Sequence, residues 1–296
     1  MRALITGGGG LVGRAVAQHW SRAGDQIISL DHAALDISDE QAVRTIIDRE
    51  HPEVLVNCAA WTDVDGCETN PARAQAANAQ GPELLALACR RIGALLITIS
   101  TDYVFDGTKE GFYNQRDQPN PQSAYAVSKL EGERRAQIAW ARTMVIRSGY
   151  IFGSGGANFL SSIPQRAQRG ERLSAINDMF GTPTYANDLA SRLRQLAQTD
   201  LPGIYHVVNA GEGATFEEFA RLALTTAGLD LALIESVSMS TLKRPAPRPR
   251  NSRLSCLLSK AIGLAEMPSW ETAVRDFVAS GSGAVTHEAS QAPVVS

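Results

Sequence analysis

The sequence, 296 residues long, predicts an α/β fold in which a parallel sheet is covered by helices on both faces. Three observations carry this. The chain opens on a short apolar run, Met1 to Thr6, that closes on Gly7-Gly8-Gly9-Gly10-Leu11-Val12-Gly13 and passes straight into the helical pattern Arg14-Ala15-Val16-Ala17-Gln18-His19-Trp20. Short apolar runs then alternate with longer helical stretches through the first half, as parallel crossover units require. Finally, Thr6, Asp31, Asn57 and Thr101 stand near the carboxyl ends of the runs, where open α/β sheets hold their ligands.

The elements follow in order. After the first strand and helix, a second strand over 26–30 ends in Asp31. A helix over 39–50, a strand over 53–56, a helix near 71–91 and a strand near 94–99 come next, then a helix beginning at Tyr125 and a strand over 144–147. From Ser148 the alternation weakens, and Gly149, Gly153, Gly155 and Gly156 mark a loop-rich excursion. Residues 161–168 have a helical pattern, 204–208 a strand returning to the main sheet, and 216–227 a helix with Thr215 as N-cap and acids in its first turn. Two discontinuous domains are expected, 1–148 with 183–209 and 149–182 with 210–279. Residues 280–296, rich in Gly, Ser and Ala and nearly without apolar periodicity, are expected to form a disordered tail.

A formal charge of -3 with 44% hydrophobic residues argues against a polybasic nucleic-acid binder and against disorder of the main body. Cys58, Cys67, Cys89 and Cys256 show neither metal-ligand spacing nor the density of a disulfide scaffold, which favours a reduced, intracellular setting. The first strand begins directly after Met1, so no secretory leader is expected, and no apolar stretch approaches a membrane span. A cytoplasmic enzyme without membrane or nucleic-acid partners is expected.

The glycine-rich turn between strand and helix fits a dinucleotide fingerprint, with Gly8, Gly10 and Gly13 permitting a tight turn, close approach of a pyrophosphate and close helix packing. Gly7, Gly10, Leu11, Val12 and Gly13 are the candidates at the pyrophosphate, and Asp31 the candidate at the adenosine ribose. Twenty-four positions after Thr101 stands Tyr125, and one helical turn later Lys129. A phenol has an unperturbed pKa of about 10, and a neighbouring ammonium favours its ionised form. Thr101, Tyr125 and Lys129 thus form a candidate hydride-transfer site with Tyr125 as acid and base.

The chain resembles the dTDP-4-dehydrorhamnose reductase family, within the extended short-chain dehydrogenase/reductases, to about residue 280. The resemblance rests on Leu35-Asp36-Ile37-Ser38-Asp39, Val56-Asn57-Cys58-Ala59-Ala60-Trp61-Thr62-Asp63-Val64-Asp65, Ser100-Thr101-Asp102-Tyr103-Val104-Phe105-Asp106-Gly107 and Ser123-Ala124-Tyr125-Ala126-Val127-Ser128-Lys129. Gly181-Thr182-Pro183-Thr184 and Arg244-Pro245-Ala246-Pro247-Arg248-Pro249-Arg250 extend it. It implies a Rossmann-like sheet with a smaller mixed α/β lobe, and NADPH- or NADH-dependent reduction of the 4-keto group of a nucleotide-linked deoxysugar. The implied substrate is dTDP-4-dehydro-L-rhamnose.

By the same resemblance His32, Asp36 and Ile37 lie on the adenosine side of the cofactor, and Cys58, Ala59, Ala60 and Thr62 on the loop beside the nicotinamide ribose and phosphates. Val64, Thr101, Asp102, Tyr103, Val104 and Tyr150 lie near the sugar, Arg248 or Arg250 lies near the ligand, and Phe105 is core. Asp102-Tyr103 stands where sugar-nucleotide dehydratases carry Asp-Glu, which argues against dehydration. Tyr150 replaces a usual tryptophan, so sugar preference is open. A homodimer is possible, and no metal site is assigned. Two alternatives stay open: a non-catalytic dinucleotide-binding subunit of the methionine adenosyltransferase type, and a reductase or epimerase of another sugar nucleotide.

Overall fold

The computed structural model describes residues 1–280, so nearly all of the expected disordered tail lies outside the described residues. The first half runs β1 (Arg2–Thr6), α1 (Leu11–Arg22), β2 (Gln26–Leu30), α2 (Glu40–Glu50), β3 (Val54–Asn57), α3 (Val64–Thr69), α4 (Pro71–Gln75), α5 (Gly81–Ile92), β4 (Leu95–Thr101), α6 (Ala124–Ala139) and β5 (Thr143–Ser148). There follow β6 (Ile151–Phe152), α7 (Phe159–Gln168), β7 (Leu173–Ile176), β8 (Phe180–Gly181), β9 (Thr184–Tyr185), α8 (Ala186–Thr199) and β10 (Gly203–His206). The chain ends with β11 (Ala214–Thr215), α9 (Phe216–Ala227), β12 (Ile234–Val237), α10 (Leu257–Ala261) and α11 (Trp270–Ala279).

Six strands form one parallel sheet in the order β2-β1-β3-β4-β5-β10. Its central strands are apolar on both faces, as burial under two helical layers demands. Ala3, Ile5, Val54, Val56, Leu95 and Ile97 face Val16 and Trp20 of α1 and Leu189 and Leu193 of α8. The alternate residues Leu4, Leu55 and Leu96 face Val43 and Ile47 of α2 and Leu85 and Cys89 of α5. Each such aliphatic side chain contributes about 1.5–3 kcal/mol. The chain order turns back between β1 and β3, which opens a crevice outside their carboxyl ends.

The stretch expected as one helix near 71–91 is broken. Between α4 and α5, Ala76–Gln80 takes a π-helical turn. The side chain of Asn78 in that turn accepts from the Trp61 amide at 2.8 Å and donates to the Trp61 carbonyl at 3.0 Å and to Ser128 Oγ at 3.1 Å. A Cβ on Gly132 of α6 would stand 2.0 Å from the Asn78 carbonyl oxygen, so only glycine lets the two elements approach this closely.

A second core gathers Phe152, Tyr185, Phe219, Trp270 and Phe277 with α7, α9 and α11. Helix α9 begins at Thr215 with a capping box, its hydroxyl receiving the Glu218 amide while the Glu218 carboxylate receives the Thr215 amide. Cys256, Leu258, Ile262, Leu264 and Met267 pack on the α1 and α8 face of the main sheet. The stretch 256–267, which the sequence division assigns to the second region, therefore belongs with the first. Its apolar side chains find their cover beside α8.

Candidate active site

The glycine turn is held against two strand ends. The Gly8 amide donates to the Leu30 carbonyl at 2.8 Å, and a Cβ on Gly7, whose φ is +67°, would meet the Ala59 amide nitrogen at 2.6 Å. A Cβ on Gly13 would stand 2.3 Å from the Gly7 oxygen. Gly10 caps α1 without a side-chain hydrogen bond, which leaves the first amides of the helix, at Leu11, Val12 and Gly13, directed outward with the positive end of the helix dipole. Asp31 sits next to this turn, with the position of a Gly9 Cβ only 3.5 Å from its own, and its carboxylate accepts from the Ala34 amide at 2.9 Å. Asp31, His32 and Asp36 are exposed. The Asp36 carboxyl is bound by Ser38, which lowers its pKa, while Ile37 is buried in the core around Leu35 and Leu85. The Ile37 side chain is thus committed to packing.

Across the strand tips, Thr6 Oγ1 donates to Asn57 Oδ1 at 2.7 Å, Asn57 Nδ2 donates to Thr98 Oγ1 at 3.1 Å, and the Ala59 amide reaches Asn57 Oδ1 at 3.2 Å. Asn57 is therefore a strand-end tie that fixes the start of the Cys58 to Thr62 loop. Cys58, Ala60, Thr62 and Val64 line a cleft of about 400 Å³ together with Leu11, Val12, Thr101, Asp102, Tyr103, Tyr125, Lys129, Ser148 and Tyr150. Burial pushes the Cys58 thiol up to about 12, so it stays uncharged.

Thr101, Tyr125 and Lys129 come together in this cleft from β4 and α6. Ser123 caps α6 by accepting from the Ala126 amide at 3.2 Å, which sets Tyr125 in the first turn. Burial raises the Tyr125 pKa, and the Thr101 hydroxyl beside the phenol opposes the shift. The sequence expectation that Lys129 would charge the phenol needs correction. Lys129 Nζ donates to the Ile99 carbonyl at 2.7 Å, and burial lowers its own pKa to about 8, against Glu133, whose charge raises it. The phenol is thus kept protonated near neutrality, the state an acid needs.

Asp102 is buried beside Thr101, whose hydroxyl donates to it at 3.1 Å, and Ser252 Oγ donates to its other oxygen. Burial raises its pKa to about 6. A Cβ on Gly149 would stand 2.4 Å from the Asp102 carboxyl carbon, so the glycine makes room for this acid. Tyr103 lies edge-on to Tyr125 at 6.2 Å between ring centres. Val104 does not line the cleft: its side chain is buried with Phe105, Tyr113, Leu130 and Leu254. The short 3-10 turn Asp102–Val104 turns that face inward.

Tyr150 packs against Phe216 with ring centres 4.5 Å apart and planes tilted by 30°, and a Cβ on Gly181 would stand 2.3 Å from its ring. Its buried hydroxyl, like that of Ser148, has no partner. A smaller cavity of about 230 Å³ adjoins the cleft at Tyr103, Phe159 and Phe216 and brings in Arg244 and Arg248. Arg248 makes two bonds to Asp65, at 3.0 and 2.8 Å, and the Ala246 amide adds another at 3.0 Å, so the proline-rich loop is tied to α3. Arg248 chiefly, with burial opposing, brings the Asp65 carboxyl down to about 2. Of the two arginines expected near a ligand, Arg248 is the one that lines this space. Sequence reasoning passed over Asn78, Ser148 and Glu133. A buried asparagine inside a helical run was the one signal for the first.

A family profile described as "RmlD substrate binding domain" matches residues 1–282. The chain is 38% identical over 285 residues to the dTDP-4-dehydrorhamnose reductase of Mycobacterium tuberculosis, covering 94% of this chain and 93% of the relative. It is 37% identical over 281 residues to the dTDP-4-dehydrorhamnose reductase of Streptomyces griseus, with 93% and 92% covered. Among solved structures, the dTDP-4-dehydrorhamnose reductase of Bacillus anthracis in complex with NADP matches with a TM-score of 0.90 at 30% identity, over 94% of this chain and 99% of that one.

Proposed function

The chain belongs to the RmlD substrate binding domain family, and from that premise we propose that it uses NADPH or NADH to reduce the 4-keto group of a nucleotide-linked deoxysugar, dTDP-4-dehydro-L-rhamnose giving dTDP-L-rhamnose. What carries the reading is the meeting of Thr101, Tyr125 and Lys129 at one cleft with Leu11 and Val12, the helix start that follows the glycines. The residues present suit a dinucleotide, since the glycine cradle leaves no room for a Cβ at Gly7 or Gly13 and the amides opening α1 are uncapped by any side chain. When bound, the nicotinamide supplies the hydride.

The protein's own groups handle the charge that develops on the carbonyl oxygen. Tyr125 gives that oxygen its proton, and Thr101 holds the phenol and the oxygen in line. Lys129 spends one of its three donors on Ile99 and keeps two for the nicotinamide ribose. Ser148 and Tyr150 offer unpartnered hydroxyls to the sugar, and Arg244 and Arg248 offer positive charge to its diphosphate. Among the described residues no helix is long and apolar enough to cross a membrane. The proposal places the reaction in the cytoplasm, in a homodimer that takes no nucleic acid, with the sheet domain holding the cofactor and the second region closing over the sugar nucleotide.

The test is NAD(P)H oxidation by the purified protein against a panel of 4-keto sugar nucleotides. Turnover with the dTDP-linked 4-keto-6-deoxyhexose is expected. Dinucleotide binding without turnover on any member would instead mark a regulatory subunit.

Cofactor choice gives a separate expectation at Asp31. Its exposed carboxylate beside the glycine turn favours a ribose 2′-hydroxyl and repels a 2′-phosphate. Asp31→Ala should weaken NADH binding by about threefold to tenfold, the worth of one hydrogen bond, and leave NADPH binding equal or tighter. Titration of both cofactors checks it, and an equal loss for the two would place Asp31 away from the 2′ position.

A further inference from the structure

Five buried side-chain atoms among the described residues have no hydrogen-bond partner: Ser148 Oγ, Tyr150 OH, Arg192 Nε, His206 Nε2 and Trp270 Nε1. Leaving such groups unpaired costs free energy, so each calls for an explanation. Ser148 and Tyr150 line the cleft already described. Arg192 and His206 line a different cavity, of about 660 Å³, which shares no lining residue with that cleft.

This cavity opens outside the carboxyl end of β10, at the edge of the main sheet, with Arg192 supplied by α8 and His206 by the strand itself. Arg192 is only 6% exposed. One of its terminal nitrogens donates to the Ala265 carbonyl. Burial lowers its pKa, and among the described residues no carboxylate forms an ion pair with it. A guanidinium withdrawn from water without a counter-ion is costly, and an anion from solution is the group that relieves it.

His206, 2% exposed, adds a second requirement. Its Nδ1 faces the carbonyl oxygens of Tyr113 at 3.3 Å and Ser255 at 3.0 Å, so Nδ1 carries the proton and Nε2 is a bare acceptor. Burial holds the ring's pKa down to about 4, and the imidazole is neutral at pH 7. A ligand that satisfies it brings a hydrogen-bond donor. The same cavity is lined by the apolar side chains of Phe112, Val208, Leu254, Leu264 and Met267, and by the exposed Glu212, Lys260 and Glu266.

We propose that this cavity is a second ligand site, separate from the reductase cleft, that takes a small organic anion carrying a hydroxyl group on an apolar body: the oxyanion on Arg192, the hydroxyl on His206 Nε2. The anionic head is a carboxylate or a phosphate monoester, and the two are separated by probe.

The experiment is isothermal titration of NADPH-saturated protein, with the dinucleotide site filled, using mandelate as the hydroxy acid and 2-hydroxy-2-phenylethyl phosphate as the hydroxylated phosphate. At least one is expected to bind saturably. For a mandelate response, phenylacetate, which lacks the hydroxyl, and 1-phenylethanol, which lacks the anion, should each bind about tenfold more weakly or worse, a loss in line with one removed polar contact. Arg192→Met should abolish binding and, without ligand, melt at or above the wild-type temperature, because it removes an uncompensated buried charge. Should that variant fail to fold, Ser259→Trp, which fills the cavity from its outer wall and keeps Arg192, is expected to block the same titration. Absence of saturable binding by both probes overturns the site, as does equal affinity in the variant. A variant that melts lower and binds as wild type does would reduce Arg192 to a strut for the Ala265 carbonyl.

Discussion

Turnover of a 4-keto sugar nucleotide should fall by about two to four powers of ten in Tyr125→Phe, the range for losing a positioned proton donor. The ring stays, and with it the packing against Cys67, Ala74 and the edge of Tyr103. What disappears is the phenol hydroxyl that stands beside the Thr101 hydroxyl. Because burial raises the pKa of Tyr125, the wild-type group is protonated throughout the neutral range, and its proton is the one handed to the carbonyl oxygen. Single-turnover NADPH oxidation measures the loss, and a cofactor titration should return the wild-type affinity. Near wild-type turnover would remove Tyr125 as the acid and leave a dinucleotide-binding fold without its proposed chemistry.

The second large effect is on stability. Glu133 and Arg147 form an ion pair at 2.7 Å with side chains only 3% and 4% exposed, and Ser100 Oγ donates to the same carboxylate. Glu133→Ala should cost about 3–5 kcal/mol, because it strands a buried guanidinium and leaves a serine hydroxyl without its acceptor. A lower urea midpoint with unchanged slope is the expected readout. The double variant Glu133→Leu with Arg147→Met should recover much of the loss, since both charges then leave together. Equal destabilisation by the single and double variants would show that the stranded Arg147 charge is not the source of the loss. The single variant also removes the carboxylate that raises the Lys129 pKa, so the activity that depends on charged Lys129 should fall at lower pH than in the wild type.

The sheet was legible because a parallel strand under two helical layers must be apolar throughout, and Val54 to Val56 and Leu95 to Ile97 meet that demand openly. The glycine turn was equally legible, since crowding at Gly7 and Gly13 leaves no other residue type. What stayed hidden depends on long-range partners. Nothing local in Ile37 or Val104 tells whether a side chain meets a ligand or a core, and both went to the core. The direction of Lys129 turned on a carbonyl 30 positions away, at Ile99, which no i to i+4 argument can supply. The stretch 256–267 is largely apolar, but a short apolar run does not say which core it joins, and its allegiance appears only in the packing it shares with α8.

The π-helical turn at Ala76–Gln80 has a consequence for how this chain can vary. An α-helix advances about 100° per residue. Excising one residue from the turn would restore an unbroken helix and swing Leu84, Leu85 and Ala88 round by that angle, out of the core they share with Ile37 and Ile47. It would also pull Asn78 off Trp61 and Ser128, and so unfasten the loop that carries Ala59 to Thr62 past the cleft. Asn78 and Ala79 are the buried side chains of this window, and its length is a fixed gauge. Five residues here set the phase between a helix that packs and a loop that lines the cleft.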